Sequence, residues 1–478
     1  MRNHKYLKHL MLALLIAFAA VQMPANSITD DYFGNPVDGY DARFFGMGSA
    51  GAFNDLRPFG IAVNPANLTL MKTRVGFTAS MLMDRNEDNR HIPLYNSFDS
   101  YIDDAVYASN IDIYDNYAAA GFGALKLGGV RLGLGAFYAP MLSFDGDYIE
   151  EIRNNRNTDN DGYPQKLATN RIENRGTLDQ AAGILSIGYD FDEITQLNFG
   201  FQFGMLEGKQ EFAKTIRWSQ WAIDTFAAAT GNDPNKVLPN YSLTTDAELK
   251  GGYAKMGMAM RVNERFGIAA TWAPKAVLDR TGSTLEHRDA YRNTAELNNL
   301  VDIDEDYILP SNYRMGLLYQ PRNIMRTWLN LDLEYVQFSE ISDHYNDQFN
   351  FYAGVEHWVE NRLPLRIGFS ATNSYLREVE ADGSLIVKRI LTPKVSAGSG
   401  FAITKCLGVD LGFGYGWREY EVQDLFKDSY YNDKIYSGSS SYALWPNSYI
   451  NLADRDWSNP DKIRENDVTL RAALTFTW

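Results

Sequence analysis

The chain has 478 residues, a formal net charge of −15, one cysteine (Cys406) and six scattered histidines. The acidic balance excludes nucleic acid as a partner, because it repels phosphates. A single thiol excludes a disulfide framework, and no His/Cys spacing fits a metal site. No Ser-His-Asp order or pair of carboxylates suggests catalysis, so neither enzymatic activity nor a cofactor is expected.

Residues 1–27 read as a secretory signal. Arg2, His4, Lys5 and Lys8 form a basic start, the segment 10–21 is an apolar core, and Ala19, Ala25 and Ser27 offer cleavage points. The apolar run is too short for a spanning helix. Residues 28–72 are rich in Gly, Asn, Ala and Phe and poorly periodic, and their natural place is inside a lumen, as a hatch.

From residue 73 to 478 the chain alternates with period two. Fourteen strands are predicted: 73–85, 117–127, 130–143, 178–190, 195–207, 251–262, 266–278, 312–320, 326–338, 349–358, 364–376, 393–403, 408–420 and 468–478. Tight connections such as Gly128-Gly129 join them in pairs. The other connections are long and polar: 86–116, 144–177, 208–250, 279–311, 339–348, 377–392 and 421–466. Short turns opposite long loops, together with 13% aromatic residues, predict a 14-stranded antiparallel transmembrane β-barrel of a bacterial outer membrane. The last strand is representative. Val468, Leu470, Ala472, Leu474, Phe476 and Trp478 share one face, and Thr469, Arg471, Ala473, Thr475 and Thr477 the other.

Three local patterns are read separately. Gly46-Met47-Gly48-Ser49-Ala50-Gly51 has G-x-G-x-x-G spacing without the strand–helix context of a nucleotide site, and is taken as tightly folded backbone. Asp159-Asn160-Asp161-Gly162 is an ordinary loop turn that lacks the remaining ligands of a calcium loop. Within 214–229, helical spacing gathers Trp218, Trp221, Ala222, Phe226 and Ala229 on one face, and a second helix over 289–301 offers Tyr291, Leu297 and Leu300. Such faces either pack against loop neighbours or form a greasy surface groove. In the second case Trp218, Trp221, Phe226, Leu297 and Leu300 dock a hydrophobic small molecule.

The sequence resembles the FadL/TodX family of outer-membrane transporters of hydrophobic compounds. The segment Asn64-Pro65-Ala66-Asn67-Leu68 is similar to that family's N-P-A-G-L hatch signature, with Asn67 in place of Gly. Leu309-Pro310 leading into a strand, and Asp332-Leu333-Glu334-Tyr335 with Phe338-Ser339, resemble two further segments. The resemblance implies a hatch shaped by Asn64, Pro65 and Ala66 and passive uptake of long-chain fatty acids or hydrocarbons. It also implies sideways exit through a kinked third strand, where Gly133, Gly135 and Pro140 weaken pairing. Partners implied by the location are outer-membrane lipid, lipopolysaccharide and, during biogenesis, the barrel-assembly machinery. Two alternatives stay open: a PorV-like type IX secretion component that binds secreted proteins, and a general structural barrel.

Overall fold

Side-chain alternation after Arg74 builds a closed wall of fourteen antiparallel strands, joined edge to edge. The wall runs through β1 (Val75–Tyr95), β2 (Tyr101–Leu127), β3 (Val130–Ser143), β4 (Thr177–Asp190) and β5 (Gln196–Trp218). It continues through β6 (Tyr241–Arg261), β7 (Phe266–Ala273), β8 (Asn312–Tyr319), β9 (Thr327–Val336) and β10 (Gln348–Val359). It ends with β11 (Leu363–Val379), β12 (Leu385–Ala402), β13 (Leu407–Val422) and β14 (Asp461–Thr477). The computed structural model describes residues 33–37, 39–54, 57–95, 98, 100–153, 166–192, 194–229, 240–290, 295–322, 326–342, 345–360, 363–379, 385–422 and 461–478. The expected signal 1–27 and the Asp159–Gly162 turn lie outside them.

Closure is made by the two ends of the wall. β14 pairs with β1 from Lys462↔His91 to Thr477↔Gly76, and the Trp478 N–H then donates to the Val75 carbonyl at 2.8 Å. On β14 Thr469, Arg471 and Thr475 point inward and are buried, while Leu474, Phe476 and Trp478 face out. The same alternation holds around the barrel, and the outward residues form an apolar belt. On β2 that belt runs from Tyr117 to Leu127, about 33 Å of strand and about 25 Å of height once tilted. Trp272, Tyr313 and Tyr335 stack side by side at its upper edge, with Phe349 tilted against Tyr335, as an interfacial girdle requires.

Several wall strands continue well above the belt, so the predicted long loops are partly sheet. β2 extends to Tyr101 and β5 to Trp218. A hairpin of Gly146–Arg153 and Lys166–Arg175 pairs with the outer end of β5, ending in Ala168↔Trp218. β7 stops at Pro274, which has no N–H to give the ladder, and the chain resumes as Ala276–Arg288. That segment pairs with β6 on one side and with Leu297–Leu309 on the other, through thirteen residues from Ala276↔Leu309 to Arg288↔Leu297. The second helix expected over 289–301 is therefore replaced by strand from Leu297 onward, and Tyr291 lies outside the described residues. The reason is tertiary: an exposed sheet edge supplies hydrogen bonds that an isolated amphipathic turn cannot match.

The lumen is filled by the hatch, from Phe33 to Met71. Among the described residues its regular pieces are a two-residue bridge, Asn35–Pro36, and three single helical turns: α1 (Ala42–Phe45), α2 (Gly60–Val63) and α3 (Asn67–Leu70). Between α1 and α2 the Gly46–Gly51 turn is tight backbone with Gly48 at φ +67°, as its composition suggested. Phe59, Ile61 and Leu68 pack against Ala120, Phe122, Phe137 and Ile184 of the wall.

Candidate functional site

The hatch is pinned to the wall by buried polar groups. Arg43 of α1 places Nε and Nη2 at 2.8 and 2.9 Å from the Glu356 carboxylate of β10. Arg366 of β11 reaches the same carboxylate at 2.6 Å and Asp410 at 2.7 Å, and Arg57 of the hatch donates to Asp410 at 2.9 Å. Asp332 of β9 accepts the backbone N–H of Gly51 and of Ala52, each at 2.8 Å, while Arg314 neutralises it. Buried charges survive only when compensated in this way.

Asn64, Pro65 and Ala66 form the hatch's own joint. The Asn64 amide donates to the carbonyls of Ala52 at 2.9 Å and Met258 at 3.2 Å, and its oxygen accepts the Ala66 N–H at 3.0 Å. Pro65 rests so closely on Gly200 of β5 that a Cβ there would come within 2.2 Å of its carbonyl carbon. Asn67, the departure from the N-P-A-G-L pattern, has a structural use. Its side-chain oxygen accepts the Asn54 N–H at 3.1 Å and its amide donates to the Gly60 carbonyl at 2.9 Å.

Above this joint lies a cavity of about 460 Å³ with two unlike walls. One is apolar: Phe33 is enclosed by Tyr307, Phe338 and Tyr375 with ring centroids 5.2, 5.2 and 5.3 Å away, and the Tyr307 hydroxyl donates to the Phe33 carbonyl at 2.9 Å. The other carries paired charges, with Asp84 against Arg471 and Asp467 against Lys394. Sequence reasoning assigned no role to this aromatic cage. The segments that hold Tyr307 and Phe338 adjoin stretches already noted, Leu309-Pro310 and Phe338-Ser339, but their meeting with Phe33 depends on the closed topology.

Beside the cavity, the wall loses a seam. β2 and β3 pair from Leu127↔Val130 to Ala119↔Tyr138 and no further, while β3 stays paired with β4 up to Ser143. The β3–β4 ladder shifts register between Pro140 and Leu142. The edge that β2 leaves is taken by the hatch: Pro36 pairs with Leu142, Asn35 with Ser143, and Val37 N–H donates to Met141 at 3.0 Å. Farther out, β2 meets the Gly146–Arg153 strand through side chains, with Asn110 accepting the Ile149 N–H at 2.9 Å and Asp112 the Asp147 N–H at 3.2 Å.

Gly133 and Gly135 do not weaken pairing, contrary to expectation. Both are matched on each side, to Ala124 and Ser186 and to Phe122 and Ile184. They make room for the hatch: a Cβ on Gly133 would lie 1.8 Å from Leu68 Cδ2, and one on Gly135 2.9 Å from Leu68 Cδ1. Pro140 alone of the three lies at the irregular stretch.

The proposed docking residues are distributed along the outer rim. Trp218 ends β5, with its N–H on the Asn240 side chain at 3.0 Å, so it does not share a helical face with Trp221. The helix α4 (Gln220–Ala229) begins later than spacing suggested, because residues before it are held in strand by pairing on both sides. Both tryptophans are half-buried, and the Phe226 side chain lies outside the described residues. Leu297 stands level with Ile216 three strands away, about 14 Å, and Leu300 is exposed.

No family model and no curated protein matches the sequence. Solved structures do. The toluene transporter TodX of P. putida superposes with a TM-score of 0.60, covering 92% of this chain and 99% of its own at 13% identity. The chain has a FadL/TodX-like fold. A Pseudomonas aeruginosa FadL homologue matches over 93% of this chain and 99% of its own, with a TM-score of 0.58 and 11% identity. The Ralstonia pickettii toluene transporter TbuX matches over 92% and 99%, at 0.52 and 14%. At these identities the FadL/TodX likeness is one of architecture, wall and hatch together.

Proposed function

We propose that this chain is an outer-membrane channel for passive uptake of hydrophobic compounds. The observation that carries the reading is the cavity beside the hatch, with its aromatic wall around Phe33 next to the point where β3 parts from β2. An apolar solute lands on the rim at Trp218, Trp221, Phe226, Leu297 and Leu300, enters the cavity, and leaves sideways near Pro140. Each methylene that moves from water into hydrocarbon contributes about 0.8 kcal/mol, so lateral exit into the bilayer needs no energy source. The transport roles in the names of TodX and TbuX support the same class of cargo.

The test is reconstitution of the full chain and measurement of oleate and toluene binding. Wild type is expected to bind at least one, and a Trp218→Ala/Trp221→Ala double variant to bind more weakly. A wild type that binds neither overturns the reading, and recovery of secreted proteins on the chain would then favour the secretion-component alternative.

A further inference from the structure

We infer a phospholipid site on the outer wall, separate from the lumen. Over β1–β5, near the end carrying the short turns, the outward face sinks into a trough of about 790 Å³. Its sides are Val75, Leu125, Leu134, Leu185 and Phe201, all exposed and apolar. Its floor is Gly123, where a Cβ would meet nothing within 4 Å. Trp478, 73% exposed, and Arg74 close one end.

The charge at that end identifies the occupant. Among the described residues, the Arg74 guanidinium has no protein partner. Among the described residues, Lys72, Arg322, Arg326 and Lys405 are exposed on the same rim, where they and Arg74 outnumber the exposed carboxylates Asp192, Glu264 and Glu360. A chain of net charge −15 thus turns a basic edge to one leaflet. Each basic side chain near an anionic lipid surface contributes about 1 kcal/mol. The site takes an anionic glycerophospholipid of the periplasmic leaflet, with its phosphate on Arg74 and an acyl chain along Gly123. The inference rests on the membrane placement proposed above and is independent of the cargo.

The full chain, reconstituted in nanodiscs of mixed phosphatidylglycerol and phosphatidylcholine, is released into detergent and weighed by native mass spectrometry. Wild type is expected to retain phosphatidylglycerol preferentially. Arg74→Glu should lower that preference about five-fold or more, and Gly123→Leu, which fills the trough outward, should remove retention of both lipids. Equal retention of the two lipids by wild type, or undiminished retention in both variants, overturns the site. If Gly123→Leu does not fold, Arg74→Glu decides alone. Oleate binding measured on the same samples separates loss of this site from failure of the transport reading.

Discussion

Arg43 and Glu356 lie 313 positions apart, yet their bidentate pair ties the first helical turn of the hatch to the tenth strand of the wall. Because Arg366 shares the same carboxylate, one buried anion holds two guanidinium groups, one from each body. Glu356→Ala takes the buried Arg43 guanidinium's anion away and leaves Arg366 with Asp410 alone. It is expected to cost about 3–5 kcal/mol, read as a lower urea midpoint, and to expose the hatch to protease while the wall stays resistant. A resistant hatch with an unchanged midpoint would contradict this account.

Leu68 and Gly133 fit as peg and notch. Gly133→Ala places a Cβ where Leu68 Cδ2 lies and is expected to lift the hatch, raising ion conductance in planar bilayers. Leu68→Ala alone leaves a cavity worth about 2–5 kcal/mol. The double variant should return conductance toward the wild-type value. If the double variant leaks as much as Gly133→Ala, the contact is not what seats the hatch.

Asn67→Gly would restore the N-P-A-G-L pattern, yet it is expected to destabilise this protein. It removes the three hydrogen bonds of a buried amide, to Asn54, Gly60 and Gly51, and adds a glycine to α3, together about 2–3 kcal/mol. Thermal unfolding of the folded barrel checks this, and a variant as stable as wild type would refute it.

Above the belt, burial raises the Asp112 carboxyl to about 7. The Asp147 N–H opposes the shift, the Asp147 carboxylate and Asp88 add to it, and Arg175 lowers it. The folded state then holds a proton between pH about 4 and about 7 that the unfolded state has released, so stability falls as pH rises through that window. Hydrogen exchange at the Asp147 amide, followed from pH 5 to 8, should speed up beyond the intrinsic pH effect. Asp112→Asn should abolish the excess. An identical pH profile in wild type and variant would rule out this titration.

The wall was legible because each lipid-facing strand repeats the same alternation. Val130–Ser143 was read to the residue, flanked by Gly128-Gly129 and by polar chain. The outer extensions were not legible: in Leu297–Leu309 Asn, Asp and Glu interrupt the apolar residues, and only pairing with Ala276–Arg288 makes it a strand. The Asn64–Ala66 joint stood out as a motif, but the cage around Phe33 and the Arg43–Glu356 pair join residues hundreds of positions apart. Composition and period carry no record of such distances. Gly133 illustrates the remaining ambiguity, since a strand glycine signals either a broken ladder or a close neighbour, and only the position of Leu68 decides.

The Trp478 backbone bonds to Val75, four residues after the hatch ends at Met71. Trp478 therefore completes the ring beside the exit of the segment that fills it. A ring closed first would have to admit a folded insert through its open end, and the glycine notches and buried ion pairs leave that insert little tolerance. Sealing and filling are thereby coupled, and a wall that lost the Phe476–Trp478 end of β14 would forfeit its stopper along with its closing seam.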